Sequence, residues 1–282
     1  MTTVSLSAKG KISDQQFKFF TEYLSSRYGL RTPPEKRVLL ESRLISRLNA
    51  LKLNSIEEYI DYTFKSKESN DEYQYFVEQI TTHKTFFFRE DYQFDFLSKN
   101  LETYVRTRST SNQLTCWSAG CSTGEEVYTL GMILNEKKQD IPNLDFKIIG
   151  TDISIPSLKK AAKGMFTAEL ENLPERFKEK YFIPVPQTVD RVALQFNHAE
   201  IKSKIQLGVQ NLNNKVYNLP MCDFVFCRNV TIYFDTATRH EVLRRIVDRI
   251  KPGGYLFLGH SETALGTNLP IKGIQPTIYQ KL

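Results

Sequence analysis

The chain of 282 residues has room for one large or two ordinary domains, and 40% apolar with 25% charged residues is the balance of a soluble globular protein. Met1 to Gly10 lack the apolar core of a signal peptide and no later apolar run approaches a membrane span, so the expected location is the cytoplasm. A net charge of +6 and a pI near 9.0 favour an acidic partner, nucleic acid or protein; the cysteines, Cys116 with Cys121 and Cys222 with Cys227, are spaced too widely for ordinary zinc ligation and read as buried thiols, with no metal expected.

Ser13-Asp-Gln-Gln16 has capping-box spacing, and Phe17, Phe20, Leu24 and Tyr28 follow on one helical face. Arg31-Thr-Pro-Pro-Glu35 breaks that helix. A second is predicted from about Glu35 to Leu51, with Leu40, Leu44, Leu48 and Leu51 on one stripe. Beside the stripe, Lys36, Arg43 and Arg47 fall within an arc of roughly 40° and form a basic ridge, read either as a solvated face or as a partner-binding surface. Ser55-Ile-Glu-Glu58 repeats the capping-box spacing and opens a short helix through Tyr62. Lys65 to Asn70 is a polar connector, and Tyr73, Phe76, Val77 and Ile80 mark the next helix. Residues 1–80 thus read as a helical domain. Residues 81–90, with three consecutive aromatics, read as the joint to a second domain over 91–282. In that joint, Thr85 and Arg89 are either ordinary surface residues or, for Arg89, a planar fork of donors facing a carboxylate.

The stretch Leu114 to Leu130 reads as a buried strand turning through Gly120 and Gly124 into an amphipathic helix, and Phe146 to Asp152 as a second strand ending in an acid. Glycines at such a turn let a ligand approach the main chain, and the turn is expected to aim free N–H groups into the crevice. The terminal acid can accept from both hydroxyls of a ribose. Neither G-x-x-x-x-G-K-[ST] nor G-x-G-x-x-G is present, and Glu125 and Glu126 would repel a pyrophosphate at the helix start. Two acids suit a ligand carrying an ammonium and a sulfonium, which is S-adenosylmethionine; the other reading is an ordinary βαβ unit with a capped helix. Ser122 and Glu125 have capping-box spacing, leaving Glu126 as the freer carboxylate.

A helix through Ser157 to Ala162 follows, then three short strands at Tyr181–Pro186, Arg191–Phe196 and Lys204–Val209, read as a small antiparallel insertion near 181–209 that either binds a partner peptide or has no role. Gln210-Asn211-Leu212 precedes a buried strand at Cys222–Cys227 that carries Arg228 and Asn229 to ligand height. Asp235 caps a helix predicted over Thr236 to Ile250, Lys251-Pro-Gly-Gly254 stops it, and strands follow at Tyr255–Gly259 and near Thr277. His260 reads as a structural histidine rather than a catalyst.

Thr82-His-Lys-Thr85-Phe-Phe-Phe-Arg89, Trp117-Ser-Ala-Gly-Cys-Ser-Thr-Gly-Glu-Glu126, Gly150-Thr-Asp152-Ile, Phe226-Cys-Arg-Asn-Val-Thr-Ile-Tyr-Phe234 and Gly259-His-Ser-Glu262 occur in that order. In these motifs the chain resembles the CheR family of chemotaxis receptor methyltransferases along almost its whole length. The resemblance implies an α/β fold: a Rossmann-like S-adenosylmethionine-dependent methyltransferase sheet with a small inserted antiparallel β-subdomain, preceded by an all-helical N-terminal domain. It implies methylation of glutamate side chains on the cytoplasmic helices of membrane chemoreceptors, giving γ-glutamyl methyl esters and S-adenosylhomocysteine, with the enzyme recruited to receptor arrays. By motif, Thr85 and Arg89 would hold the cofactor's methionine end, Glu126 and Asp152 its polar groups and ribose. Asn211, Leu212, Arg228 and Asn229 would flank its adenosine and methionyl portions. His83 stands where the family commonly has asparagine and keeps that contact only if the ring fits.

A glutamate carboxylate is already an anionic nucleophile, so the transfer needs no general base. Arg89 can steer it, and Tyr233 can offer a ring face to the sulfonium or a hydroxyl to the substrate; its other reading is a core aromatic. Methylated receptor helices are rich in glutamate, which gives Lys36, Arg43 and Arg47 a purpose. A receptor C-terminal tether at the inserted strands is a further possible partner. Two rivals stand beside this reading. A nucleic-acid methyltransferase would use the basic charge, yet Arg228-Asn-Val-Thr-Ile-Tyr occupies the place of the Asn or Asp-Pro-Pro-aromatic motif of amine-methylating enzymes, so no nucleic acid is expected. A receptor-binding module without turnover would bind no S-adenosylmethionine.

Overall fold

The computed structural model describes residues 11–65, 70–81, 84–107, 113–167, 170, 172–188 and 191–282. The helical domain consists of α1 (Asp14–Tyr28), a 3-10 turn (Pro34–Lys36), α2 (Arg37–Leu51), α3 (Ile56–Ile60) running into a π turn (Asp61–Lys65), and α4 (Asn70–Ile80). The capping box at Ser13 forms as predicted, with both reciprocal bonds to Gln16. The second box is offset: Ser55 accepts from Glu58 N at 3.1 Å, but the Glu58 carboxylate accepts from Asn54 N at 2.8 Å. Phe20, Leu24, Leu40, Leu44, Leu48, Tyr59 and Phe76 make one buried core.

The basic ridge needs correcting. Lys36 lies on the 3-10 turn, and Arg47 is engaged inside the domain. Arg47 Nε and Nη2 donate to the two oxygens of Glu72 at 3.0 and 2.6 Å, and its guanidinium packs 4.5 Å from the Tyr75 ring. The Glu72 side chain is 3% exposed, so desolvation makes a partner compulsory, and Tyr59 adds a hydroxyl at 2.8 Å. Arg47→Ala should therefore lower stability by about 2–3 kcal/mol, below the full cost of a stranded buried charge because Tyr59 still donates. Urea unfolding measures it, and a loss below about 0.5 kcal/mol would contradict a structural role.

The second domain runs α5 (Asp91–Arg106), β1 (Gln113–Ala119), α6 (Glu125–Lys137), β2 (Asp145–Asp152), α7 (Ile155–Lys163), β3 (Met165–Phe166), α8 (Glu175–Tyr181), β4 (Phe182–Thr188), β5 (Arg191–Phe196), α9 (Ala199–Lys204), β6 (Ile205–Val209), β7 (Cys222–Cys227), α10 (Thr236–Val247), β8 (Ile250–Leu258), β9 (Ile271–Gln275) and β10 (Ile278–Lys281). The main sheet has the order β6-β2-β1-β7-β8-β10-β9, with β10 antiparallel to both neighbours and the other pairs parallel. Alternation sorts its side chains: Cys116, Phe224 and Phe226 face α5 and α6, while Trp117, Val225 and Cys227 face α10. The one acid inside β7, Asp223, is satisfied by Tyr104, the Thr115 amide and Lys251 at 2.7–2.9 Å.

Two boundaries differ from expectation. β6 does not join the inserted patch; it pairs parallel with the edge of β2 from Ile148↔Ile205 to Asp152↔Val209. The small sheet is β3-β5-β4, so the insertion begins at Met165 and its antiparallel strands end at Phe196. α10 stops at Val247, and β8 starts at Ile250 and passes through Lys251-Pro-Gly-Gly254. The joint anchors the small sheet, since the Phe87 ring lies 4.8 Å from Phe166 and 5.4 Å from Phe182.

The helical domain sits across the carboxyl ends of the sheet strands. Asn211 Nδ2 donates to the Arg27 carbonyl at 2.7 Å, the Arg31 amide to the Tyr233 carbonyl at 2.8 Å, and Leu30 bridges to Phe234.

Candidate active site

Where β1 ends, Gly120 (φ 90°) and Gly124 (φ 101°) take left-handed conformations that no side chain favours. A Cβ on Gly120 would also meet Val230 Cγ2 at 2.5 Å. The turn folds onto the end of β2: the Gly120 and Cys121 amides both donate to the Thr151 carbonyl, at 2.8 and 2.9 Å, and the Ser122 amide to Asp152 Oδ2 at 2.9 Å. These N–H groups are spent on the protein instead of pointing at a ligand, which corrects the expectation for the turn. The capping box is corrected too. Gly124 is the N-cap of α6, and Glu125 accepts from the Thr123 hydroxyl at 2.7 Å.

Asp152 closes the floor of a cleft. Its second oxygen accepts the Ser154 amide at 2.9 Å, so backbone donors from both sides fix the plane of the carboxylate. Glu126, the second residue of α6, accepts from the Ser118 hydroxyl at 2.6 Å and from Arg228 Nη1 at 3.2 Å, and so is not the freer of the two acids as expected. Burial pushes its carboxyl above the ordinary range, against the pull of Arg228 and Ser118.

Arg228 is 7% exposed and sits in the cleft wall with its guanidinium engaged by protein groups. Beyond Glu126 it donates to the Arg89 carbonyl, approaches Glu90 at 3.5 Å and covers the Phe94 ring at 5.2 Å. Among the described residues, Arg89 bonds the Lys84 carbonyl at 2.8 Å and packs 5.6 Å from the Phe86 ring, with no carboxylate bonded. Thr85, Arg89, Glu126, Asp152, Asn211, Leu212, Arg228, Asn229 and Tyr233 all line this one cleft. Asn211 does so with its side chain engaged, donating to Arg27 and accepting the Asn213 amide at 2.9 Å. Lys36 and Arg43 border the cleft from the helical domain, Lys36 with its ammonium 5.3 Å from the Tyr233 ring. His83 lies outside the described residues. His260 is exposed, and its amide donates to Glu90 at 3.0 Å.

Glu262 was legible only as a motif letter, and it organises the far wall. It accepts six hydrogen bonds of 2.6–3.3 Å, from the amides of Asn229, Val230, Thr231, Ile232 and Gly259 and from the Thr231 hydroxyl. This cradle holds Asn229 at φ 58° and sets the course of the chain to Tyr233.

Residues 83–279 match the CheR methyltransferase SAM binding domain, and residues 15–81 match the CheR methyltransferase all-alpha domain. The chain belongs to the CheR methyltransferase family. Among its relatives, a chemotaxis protein methyltransferase of Borreliella burgdorferi is 33% identical over 278 residues, 96% of this chain and 95% of that protein. One of Escherichia coli is 34% identical over 253 residues, covering 89% and 85%, and chemotaxis protein methyltransferase 2 of Vibrio cholerae 33% over 260 residues, covering 89% and 86%. As a CheR-family enzyme the protein is an S-adenosylmethionine-dependent methyltransferase, and its helical domain, main sheet and small antiparallel sheet are the expected fold.

The residues of the cleft fit that cofactor. An oriented carboxylate at the end of β2 suits a vicinal diol, the part-buried Glu126 at the start of α6 suits an ammonium, and a guanidinium at the joint suits a carboxylate. Among the described residues no His/Cys/Asp/Glu group is arranged to hold a metal, and no helix is long and apolar enough to cross a membrane.

Proposed function

We propose that this CheR-family enzyme methylates glutamate side chains on the cytoplasmic helices of chemoreceptors, forming γ-glutamyl methyl esters at receptor arrays. The observation that carries the reading is the cationic lining of the methyl-donor cleft, where Arg31, Lys36, Arg43 and Lys84 line the same cleft as Tyr233 and the Lys36 ammonium lies 5.3 Å from the Tyr233 ring. A cationic lining at a site for a sulfonium donor selects an acidic acceptor.

S-adenosylmethionine supplies an electrophilic methyl group on a positively charged sulfur. Thr85 and Arg89 hold its carboxylate, Glu126 its ammonium and Asp152 its ribose, while Asn211, Leu212 and Asn229 form the walls. Arg228 acts indirectly, holding Glu126 and the Arg89 main chain in place. The acceptor glutamate arrives ionised, so no residue need remove a proton. Lys36 and Arg43 draw it in, and Arg89 and Tyr233 aim it along the line of displacement. Alignment of this kind contributes about 7–11 kcal/mol. Closing the cleft with the receptor helix excludes water from an anion and a cation that become neutral. A receptor C-terminal peptide is proposed to add as a strand to the small sheet.

The test is transfer of a radiolabelled methyl group to receptor-containing membranes. The product should release methanol in alkali, as an ester does. Lys36→Glu with Arg43→Glu should cut turnover about tenfold or more with cofactor affinity unchanged; receptors lacking their C-terminal residues test the tether in the same assay. An alkali-stable product, or label entering RNA and not receptor, would sink the reading.

A further inference from the structure

Glu78 lies on α4, in the helical domain, yet its carboxylate reaches into the other domain and its side chain is only 14% exposed. One oxygen accepts the hydroxyl of Ser154 and, at 3.1 Å, that of Ser157; the other lies 3.7 Å from the Lys160 ammonium. Both serines are fully buried, so their hydroxyls depend on protein partners. Ser154 links two groups: its hydroxyl also accepts the Ser157 amide at 3.1 Å as the N-cap of α7, and its own amide donates to Asp152 Oδ1 at 2.9 Å. Between them, Ile153 packs against the core of the helical domain. Residues 153–157 are therefore gripped by the helical domain immediately after the acid that closes the cleft floor. A carboxylate also complements the positive start of α7.

We propose that Glu78 is a positioning residue for the cofactor, setting through Ser154 the plane in which Asp152 meets the ribose diol. This rests on Asp152 as the ribose acceptor. A carboxylate that must accept two hydroxyls at once tolerates little rotation, and Ser154 controls one of the two amides that prevent it. The helical domain is thereby part of the cofactor site, beyond its role at the receptor.

Calorimetry on the full chain with S-adenosylhomocysteine and its 2′,3′-dideoxy analogue tests this, because general loosening weakens both ligands alike. Glu78→Ala should lose about tenfold of the preference for the diol. Glu78→Asp keeps the charge but is one methylene short of the serines; it should lose as much, and serves if the alanine variant does not fold. Glu78→Gln presents the same oxygen to both hydroxyls and should keep the preference within about threefold. Wild-type preference in the alanine and aspartate variants, or a glutamine variant as impaired as alanine, overturns the proposal. If the wild-type protein itself shows no diol preference, the ribose role of Asp152 has failed, and this inference falls with it.

Discussion

Glu262→Ala is expected to lower folding stability by about 3–5 kcal/mol, the cost of breaking a buried charged network from one side. The residue is 5% exposed, and its six donors come from two loops, so water cannot readily replace it at every position. Gly259 sits so close that a Cβ there would lie 2.6 Å from the Asn229 amide, which leaves no slack for a rearranged cradle. Glu262→Gln should recover little. Oε1 and Oε2 both accept amides, at distances as short as 2.6 Å, so whichever way the amide group faces, its nitrogen opposes N–H donors. Urea unfolding gives the stability change. Cofactor affinity should fall with it, because Asn229 and the path to Tyr233 are held by the same carboxylate. A stability loss below about 1 kcal/mol would show that the loops hold themselves.

What could be read from the residues alone was local. The Ser13 cap, the leucine stripe of α2, the glycine bend and the acid ending β2 are each encoded within a few positions, and each stands where expected. What the side chains bond to was not legible, because their partners are distant in sequence. Arg47 meets Glu72 across 25 positions, Arg228 meets Glu126 across 102, and Glu262 reaches back 33 to Asn229. Strand pairing failed for the same reason: polarity identifies Ile205–Val209 as a strand, but only the packing of α7 and α9 decides that it extends the main sheet. Turn chemistry at Lys251-Pro-Gly-Gly254 points to the stop of a helix reaching Ile250, but α10 ends earlier, at Val247, and these residues lie inside β8. Its pairing shifts between Cys222 and Phe224, an irregularity that accommodates proline and glycine in the strand. Glu78 and Ser154 carried no signal of their own, since a glutamate on a helix and a serine before one are ordinary.

Asp152→Asn should leave the fold in place and weaken S-adenosylmethionine binding about 30- to 1,000-fold, equivalent to about 2–4 kcal/mol. In the wild-type protein each oxygen of Asp152 already accepts a backbone amide, Ser122 on one and Ser154 on the other, so both must be acceptors before any ligand arrives. Asparagine supplies one oxygen and one NH2, and in either orientation the NH2 faces an N–H. To escape, the side chain must turn or the loop must move, and a pair of ribose hydroxyls loses one acceptor outright and the alignment of the other. The charge that strengthened both bonds is also gone. Calorimetry with S-adenosylhomocysteine gives the affinity directly, and in turnover KM for the methyl donor should rise much more than kcat falls, because the ribose is remote from the transferred methyl. The urea midpoint of the variant shows whether the two amides tolerate the exchange. A change in cofactor affinity below about threefold, in a variant that folds, would mean that the ribose is held elsewhere.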